Sequence, residues 1–297
     1  MTPRPRHDLR RRDTAEPSGR RTRSFAQVDV FAETPYLGNP VAVVLDGDGV
    51  CDQDMARLAA WTNLSETTFV VSPTSDEADY GLRIFTPGGE IPFAGHPTLG
   101  SAHAWLESGG VPKSPGKLTQ ECGIGLVEVR RSGTGLSFRA PELLRGGPLD
   151  PAHLDRIARG LRIDRERIIG HQWVDNGPGW AAVQLAAAEE VLALDPDEWH
   201  MRDLMLGVVG AYPEGSRLRF EVRAFAQPAG VREDPVTGSL HAAIAQWLIG
   251  TGAAPRSYRA GQGACLGRQG VLTVEAHGGE VWTGGESVTC VRGTVHV

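Results

Sequence analysis

His96-Pro-Thr-Leu-Gly-Ser-Ala-His-Ala104 and Asp234-Pro-Val-Thr-Gly-Ser-Leu-His-Ala242 are two copies of one motif. They align without a gap at an offset of 138 positions. Identical residues stand at Pro97/Pro235, Gly100/Gly238, Ser101/Ser239, His103/His241 and Ala104/Ala242. An Arg-x-Phe run precedes each copy, Arg83-Ile-Phe85 and Arg223-Ala-Phe225, and a helical run ending at Gly109 or Gly250 follows. A fainter echo relates Met55-Ala-Arg-Leu-Ala-Ala-Trp-Thr-Asn-Leu64 to Leu154-Asp-Arg-Ile-Ala-Arg-Gly-Leu-Arg-Ile163. Two ordered matches imply an internal duplication, which sets the architecture before any single element is assigned. We expect two similar lobes, residues 25–133 and 134–297, with the join in the glycine-rich stretch near 131–136.

Around this repeat, strands alternate with isolated helices. Phe25-Ala-Gln-Val-Asp-Val-Phe31 has the period of a half-buried strand, and Gly38-Asn-Pro40 is a turn before a second strand at 41–45. Residues 52–63 have helical spacing through Met55, Leu58 and Ala59, and runs at 67–71 and 80–85 read as strands. The pattern is α+β.

Charge is unevenly placed. Residues 1–24 hold eight arginines and three acids, a net +5, while the remaining residues sum to −11. The acidic body speaks against a nucleic-acid surface. The tail has no apolar pattern to bury and is expected to be disordered. No apolar run approaches the roughly 20 residues that span a bilayer, so no membrane role is expected. The four cysteines lie in no paired motif and read as reduced thiols of a cytoplasmic protein. No HExxH motif or His/Cys cluster supports a metal.

The repeated motif suggests how a site is built. Pro97 and Pro235 suit the first turn of a helix, and Asp234 is a good N-cap with His96 in the matching place. Two helix starts facing each other across the lobes would offer free N–H groups to a small carboxylate. Gly95 and Gly238 would let the backbone come close, Thr237 and Ser239 would supply hydroxyls, and His96 and Asp234 would place titratable groups on either side. His103 and His241, deeper in the helices, read as packing residues. Glu66, in Asn63-Leu-Ser-Glu-Thr-Thr-Phe69, stands where a helix ends and an apolar strand begins. Partial desolvation there would raise its pKa and suit acid/base work. Taken alone, each residue also has a bland reading: Asp234 as a cap, Glu66 as a turn glutamate.

Several segments together resemble the PhzF-like isomerases of phenazine biosynthesis. They are Val28-Asp-Val-Phe31, Gly38-Asn-Pro-Val-Ala-Val43, Asn63-Leu-Ser-Glu-Thr-Thr-Phe69, Arg83-Ile-Phe-Thr-Pro87, Pro92-Phe-Ala-Gly-His-Pro-Thr98, Glu233-Asp-Pro-Val-Thr-Gly-Ser239 and the closing Gln262-Gly-x-x-Leu-Gly-Arg268. The match runs in order from about Phe25 to the C-terminus. The resemblance implies the diaminopimelate-epimerase-like fold: two pseudo-symmetric lobes, each a central helix wrapped by a curved mixed sheet, with the last strand able to return to the first lobe. It implies Glu66 as the proton-moving residue, with His96 and Asp234 matching the family's other polar site residues and Gly238 and Ser239 its substrate contacts. With these, His96 and Asp234 are expected to be catalytic, and Ser65, Gly95 and Thr237 beside them are expected to contact substrate. It also implies no cofactor and a homodimer. Distant racemases of this fold use two cysteines at the helix starts; here His96 and Asp234 stand in those places.

The expected activity is a proton shift within a small carboxylic-acid metabolite, similar to trans-2,3-dihydro-3-hydroxyanthranilate isomerisation. Epimerisation of an amino-acid-like metabolite and a catalytically silent binding protein are the alternatives. The fainter echo puts Arg165 in the place of Glu66 in the second half, so a single base is expected and isomerisation ranks above epimerisation.

Overall fold

The computed structural model describes residues 20–297. Most of the basic tail, and the disorder expected of it, lies outside the described residues. The first strand begins at Thr22, three residues before the expected start at Phe25.

The first half runs β1 (Thr22–Val30), β2 (Asn39–Val44), α1 (Asp52–Thr62), β3 (Glu66–Val71), β4 (Tyr80–Thr86), β5 (Gly89–Ile91), α2 (Gly95–Glu107), β6 (Lys117–Cys122), β7 (Gly125–Ser132) and β8 (Gly135–Arg139). The second runs α3 (Pro151–Leu161), β9 (Gly170–Trp173), β10 (Ala181–Leu185), α4 (Ala188–Leu192), α5 (Glu198–Met201), β11 (Met205–Ala211), β12 (Phe220–Ala226), β13 (Val231–Asp234), α6 (Gly238–Gly250), β14 (Ser257–Gln262), β15 (Gly270–His277), β16 (Glu280–Gly285) and β17 (Ser287–His296).

The strand pairings repeat the duplication. In the first half β1–β2 is antiparallel, β2–β3 parallel, β3–β4 antiparallel and β4–β6 parallel, followed by the antiparallel β6–β7–β8 meander. In the second half β9–β10, β10–β11, β11–β12, β12–β14 and β14–β15–β16 follow the same sequence of orientations. The closing strands of the two halves, β8 and β16, pair with each other. Strand β17 returns to pair with β1 along its whole length. This is the two-lobed, diaminopimelate-epimerase-like fold.

The central helix of each lobe is buried almost all round. In α2 every residue from Gly95 to Ala102 is buried, and in α6 Leu240, Ala243, Ile244, Trp247 and Leu248 are buried together with Gly238 and His241. A helix apolar on all sides belongs inside a core. Gly100 brings α2 against the sheet: a methyl there would stand 2.4 Å from Val41 Cγ1 and 2.9 Å from Val30 Cγ2. The apolar cluster around α2 also takes in Val236, Ala242 and Leu272 of the second half, so the lobes share apolar contact where they meet. Among the described residues no helix is long and apolar enough to cross a membrane.

The topology corrects one sequence reading. Helix α3 precedes β9, whose place in the ladder matches that of β1. The counterpart of β3 is β11, and since Thr67 faces Phe85 where Leu206 faces Phe225, Met205 stands in the place of Glu66. Arg165 is therefore not the partner of Glu66; it pairs with Asp155 on the surface. The α1/α3 echo misleads because two short amphipathic helices ending in left-handed caps, Asn63 and Arg162, share a pattern without sharing a place.

Candidate active site

Three local structures deliver the titratable residues. In the turn before β2, the Gly38 N–H donates to Asp29 Oδ2 at 2.9 Å, and this fixes Asn39 at the head of the strand. The parallel register Val41↔Glu66 sets Glu66, the first residue of β3, beside that strand start. Helix α2 opens at Gly95, so His96 lies in its first turn.

Here the two motif copies part company. The second helix opens at Gly238, with Thr237 as its N-cap residue. Asp234 ends β13 and is not the helix cap the motif suggested. Other side chains hold the three residues between. Thr237 N–H donates to Gln262 Oε1 at 3.0 Å, and Asn39 Nδ2 donates to the Val236 carbonyl at 2.9 Å. With those backbone groups satisfied from outside, the segment has no need to be helical.

The structure brings Glu66, His96 and Asp234 together. His96 Nε2 and Glu66 Oε2 lie 3.2 Å apart, with the side chains 6% and 14% exposed. Among the described residues neither atom makes an aligned hydrogen bond, so the pair face each other without being tied. Asn39 Nδ2 donates to Asp234 Oδ1 at 3.1 Å, and Thr237 Oγ1 donates to Asp234 Oδ2 at 2.5 Å. The Thr237 hydroxyl, expected to meet substrate, is thus engaged with Asp234. Gln262 completes the frame: Nε2 donates to the Asp234 carbonyl at 2.8 Å, and Oε1 lies 2.9 Å from His241 Nε2. His241 is the packing residue the sequence indicated.

Burial governs the protonation of this cluster. It pushes Glu66 up to about 8, with the charge of Asp234 adding to the effect. Burial also raises Asp234, to about 6, against the hydrogen bonds from Thr237 and Asn39. The influence runs from Asp234 to Glu66 because Asp234 ionises first; its charge then holds the proton on its neighbour. Burial pushes His96 down to about 3 against a hydrogen bond to Pro40, so its imidazole is neutral at ordinary pH.

The helix starts converge as expected. A methyl on Gly95 would stand 3.3 Å from Ser239 N, and one on Gly238 would stand 3.5 Å from His96 N. First-turn N–H groups from two helices therefore share one small volume. Ser239 Oγ lies 3.4 Å from Trp180 Nε1. Ser65 is half-buried just before Glu66, and among the described residues its side chain is tied to none of the others. Asn39 and Gln262 are the positions that sequence reasoning missed as site residues, although both sit in segments that carry the family resemblance. A cavity of about 350 Å³ lined by Glu33, Arg217, Glu221 and Arg268 shares only Gln262 with this cluster, so it is a separate feature. Among the described residues no group of three or more His, Cys, Asp or Glu is placed to hold a metal ion.

Comparison with known proteins agrees with this fold. A sequence profile described as phenazine biosynthesis-like protein matches residues 28–294. A protein named antisense-enhancing sequence 1 from Schizosaccharomyces pombe is 37% identical, covering 91% of this chain and 97% of its own. A trans-2,3-dihydro-3-hydroxyanthranilate isomerase from Pseudomonas fluorescens is 31% identical, covering 92% of this chain and 99% of its own. A crystal structure of a PhzF-family phenazine biosynthesis protein from Enterococcus faecalis superposes with a TM-score of 0.77 at 26% identity, covering 93% of this chain and all of that one.

Proposed function

We propose, on the premise that the chain belongs to the phenazine biosynthesis-like protein family and is one of its isomerases, that it moves a proton within a small unsaturated carboxylic acid, with Glu66 as the single acid/base group. The observation that carries this reading is the buried, untied approach of Glu66 Oε2 to His96 Nε2 beside two converging helix starts. The helix starts and the Ser239 hydroxyl hold the substrate carboxylate. Ionised Glu66 takes a proton from one carbon as the adjacent double bond shifts, and the same carboxyl returns it to another carbon. A proton shift leaves the overall oxidation state unchanged, so the proposed reaction draws on no cofactor.

His96 and Asp234 set the base. The neutral imidazole offers Nε2 to the Glu66 O–H formed after proton abstraction. Asp234, held by Asn39 and Thr237, keeps negative charge nearby and makes Glu66 a stronger base than an ordinary carboxylate. The place of Glu66 in the second lobe is taken by apolar Met205, which favours one-base transfer over two opposed bases.

The natural first probe is trans-2,3-dihydro-3-hydroxyanthranilate, the compound in the names of several relatives. Its isomerisation followed by proton NMR is expected for the wild-type chain, with Glu66→Gln slower by about 10³-fold, the usual worth of an acid/base group. Wild-type turnover in Glu66→Gln would overturn the mechanism. In deuterium oxide a one-base shift returns part of the original proton, whereas a two-base epimerase fills the inverted carbon with deuterium.

A further inference from the structure

Residues 175–180 form a turn against the side of α6. Asp175 Oδ1 accepts the N–H groups of Gly177 at 2.8 Å and Gly179 at 2.7 Å. The turn so fixed aims two side chains at one residue of the proposed carboxylate site. Asn176 Nδ2 donates to the Ser239 carbonyl at 2.9 Å, and Trp180 Nε1 lies 3.4 Å from Ser239 Oγ. An indole nitrogen can only donate. Ser239 Oγ therefore accepts from Trp180, and its own hydrogen is left to be given elsewhere.

The orientation of the Asn176 amide follows from the same bond. Its nitrogen must face the Ser239 carbonyl, so its oxygen points away. That oxygen is buried and has no hydrogen-bond partner among the described residues. Asn39 repeats the arrangement. Its two amide hydrogens go to Asp234 Oδ1 and the Val236 carbonyl, and its Oδ1 is likewise buried and unpartnered. The two asparagines also occupy related places in the duplication. Asn39 stands just before Pro40 at the head of β2, and Asn176 precedes Gly177-Pro178 on the approach to β10, the counterpart of β2. One segment, 234–239, thus receives an asparagine from each lobe, and each leaves a free acceptor. An unpaired buried amide oxygen is unfavourable until a donor reaches it.

We propose that Asn176 is a specificity-determining residue: paired with Asn39, its free amide oxygen accepts an N–H or O–H carried next to the substrate carboxylate, while Trp180 turns the Ser239 hydroxyl toward that carboxylate. This rests on the reading of the helix starts as the carboxylate site. It selects amino- or hydroxy-substituted acids over plain ones, and it makes the 175–180 turn part of the substrate site.

Calorimetric titration of the full chain with benzoate and 2-aminobenzoate tests it. The wild-type chain is expected to bind 2-aminobenzoate about tenfold more tightly, the worth of one well-placed hydrogen bond. In Asn176→Ala that ratio falls to about one. Asn176→Asp keeps an acceptor oxygen but loses the tie to Ser239, so it binds both acids more weakly and preserves the preference. A turn that merely supports α6 would weaken both acids in parallel and leave the ratio untouched in either variant. A wild-type ratio near one, an unchanged ratio in Asn176→Ala, or no binding of either acid overturns the inference. Glu66→Gln separates it from the catalytic reading: it is expected to lose turnover and retain the ratio. Wild-type turnover in that variant would sink the mechanism while leaving the role of Asn176 standing.

Discussion

Glu66 Oε2 and His96 Nε2 approach to 3.2 Å in a largely buried cluster, and hydrogen-bond stoichiometry decides which atom carries the proton. Asn39 stands 3.4 Å from the other ring nitrogen, Nδ1. Both of its amide hydrogens are already given to Asp234 and Val236, so it cannot donate there. The ring's bond to Pro40 then falls to Nδ1–H, because Nε2 faces Glu66. Nε2 is left as a lone pair opposite a carboxyl whose own proton is held by burial. We therefore expect His96 to be the neutral Nδ1–H tautomer from pH 5 to 7, where Glu66 keeps its proton. Nitrogen-15 NMR of the imidazole region checks this: a protonated Nε2 at pH 6 would contradict it.

The pH dependence of turnover follows from the same cluster. Only ionised Glu66 can take the first proton, and its pKa stands at about 8. At pH 7 a minority of molecules, about a tenth, is competent, so kcat/KM is expected to climb about tenfold between pH 7 and 9 and then level off. Asp234→Asn removes the charge that reinforces the proton on Glu66, while burial still acts. The rising limb is thus expected to move toward acid, and the same profile measured on the variant provides the check. A limb that stays in place would mean that Asp234 does not act on Glu66 through charge.

The raised pKa also bears on stability. The folded-state pKa of Glu66 lies above the unfolded value near 4.5. Folding therefore favours the protonated acid, and this contribution is complete below about pH 4.5 and is lost as pH rises through about 8. Above that, the chain must bury a charge with no cationic partner among the described residues. Glu66→Gln keeps the shape without the charge. It is expected to melt at a similar temperature to wild type at pH 5 and at a higher temperature at pH 9, a gain of up to about 4 kcal/mol from the pKa difference. Calorimetric scans at the two pH values measure this, and a Glu66→Gln chain no more stable at pH 9 would argue that water reaches the carboxylate.

Much of this arrangement was legible in the sequence, because its evidence is local. The duplicated nine-residue motif, the period of β1, and the passage from α1 into β3 at Glu66 all lie within short windows. What escaped depends on contacts between distant segments. Asn39 meets Asp234 across 195 positions, and Gln262 reaches back 25 positions to hold Thr237; neither has a motif of its own beyond the family pattern. The assignment of Asp234 as a helix cap failed for the same reason, since Gln262 and Asn39 supply from elsewhere what a helix turn would have supplied locally. The pairing of Glu66 with Arg165 failed because a helix pattern carries no record of which strand it precedes.

Gly95 sets a final test, because two effects of opposite sign meet there. It is the first residue of α2, and alanine in place of glycine favours a helix by up to about 1 kcal/mol. Against this, the new methyl would stand 2.7 Å from Phe138 Cζ and 3.3 Å from Ser239 N. Phe138 is fully buried and packs edge-on against Phe93, so it has little room to yield. Overpacking of this kind costs about 1–3 kcal/mol, and the clash is expected to win. Gly95→Ala should unfold at lower denaturant by about 1–2 kcal/mol. It should also bind carboxylates more weakly, because the methyl wedges one helix start away from the other. Phe138→Leu in the same chain frees space on one side only. It is expected to restore most of the stability but little of the binding, since the contact with Ser239 N remains. Full recovery of both by Phe138→Leu would place the constraint on Gly95 in packing alone and remove it from the substrate site.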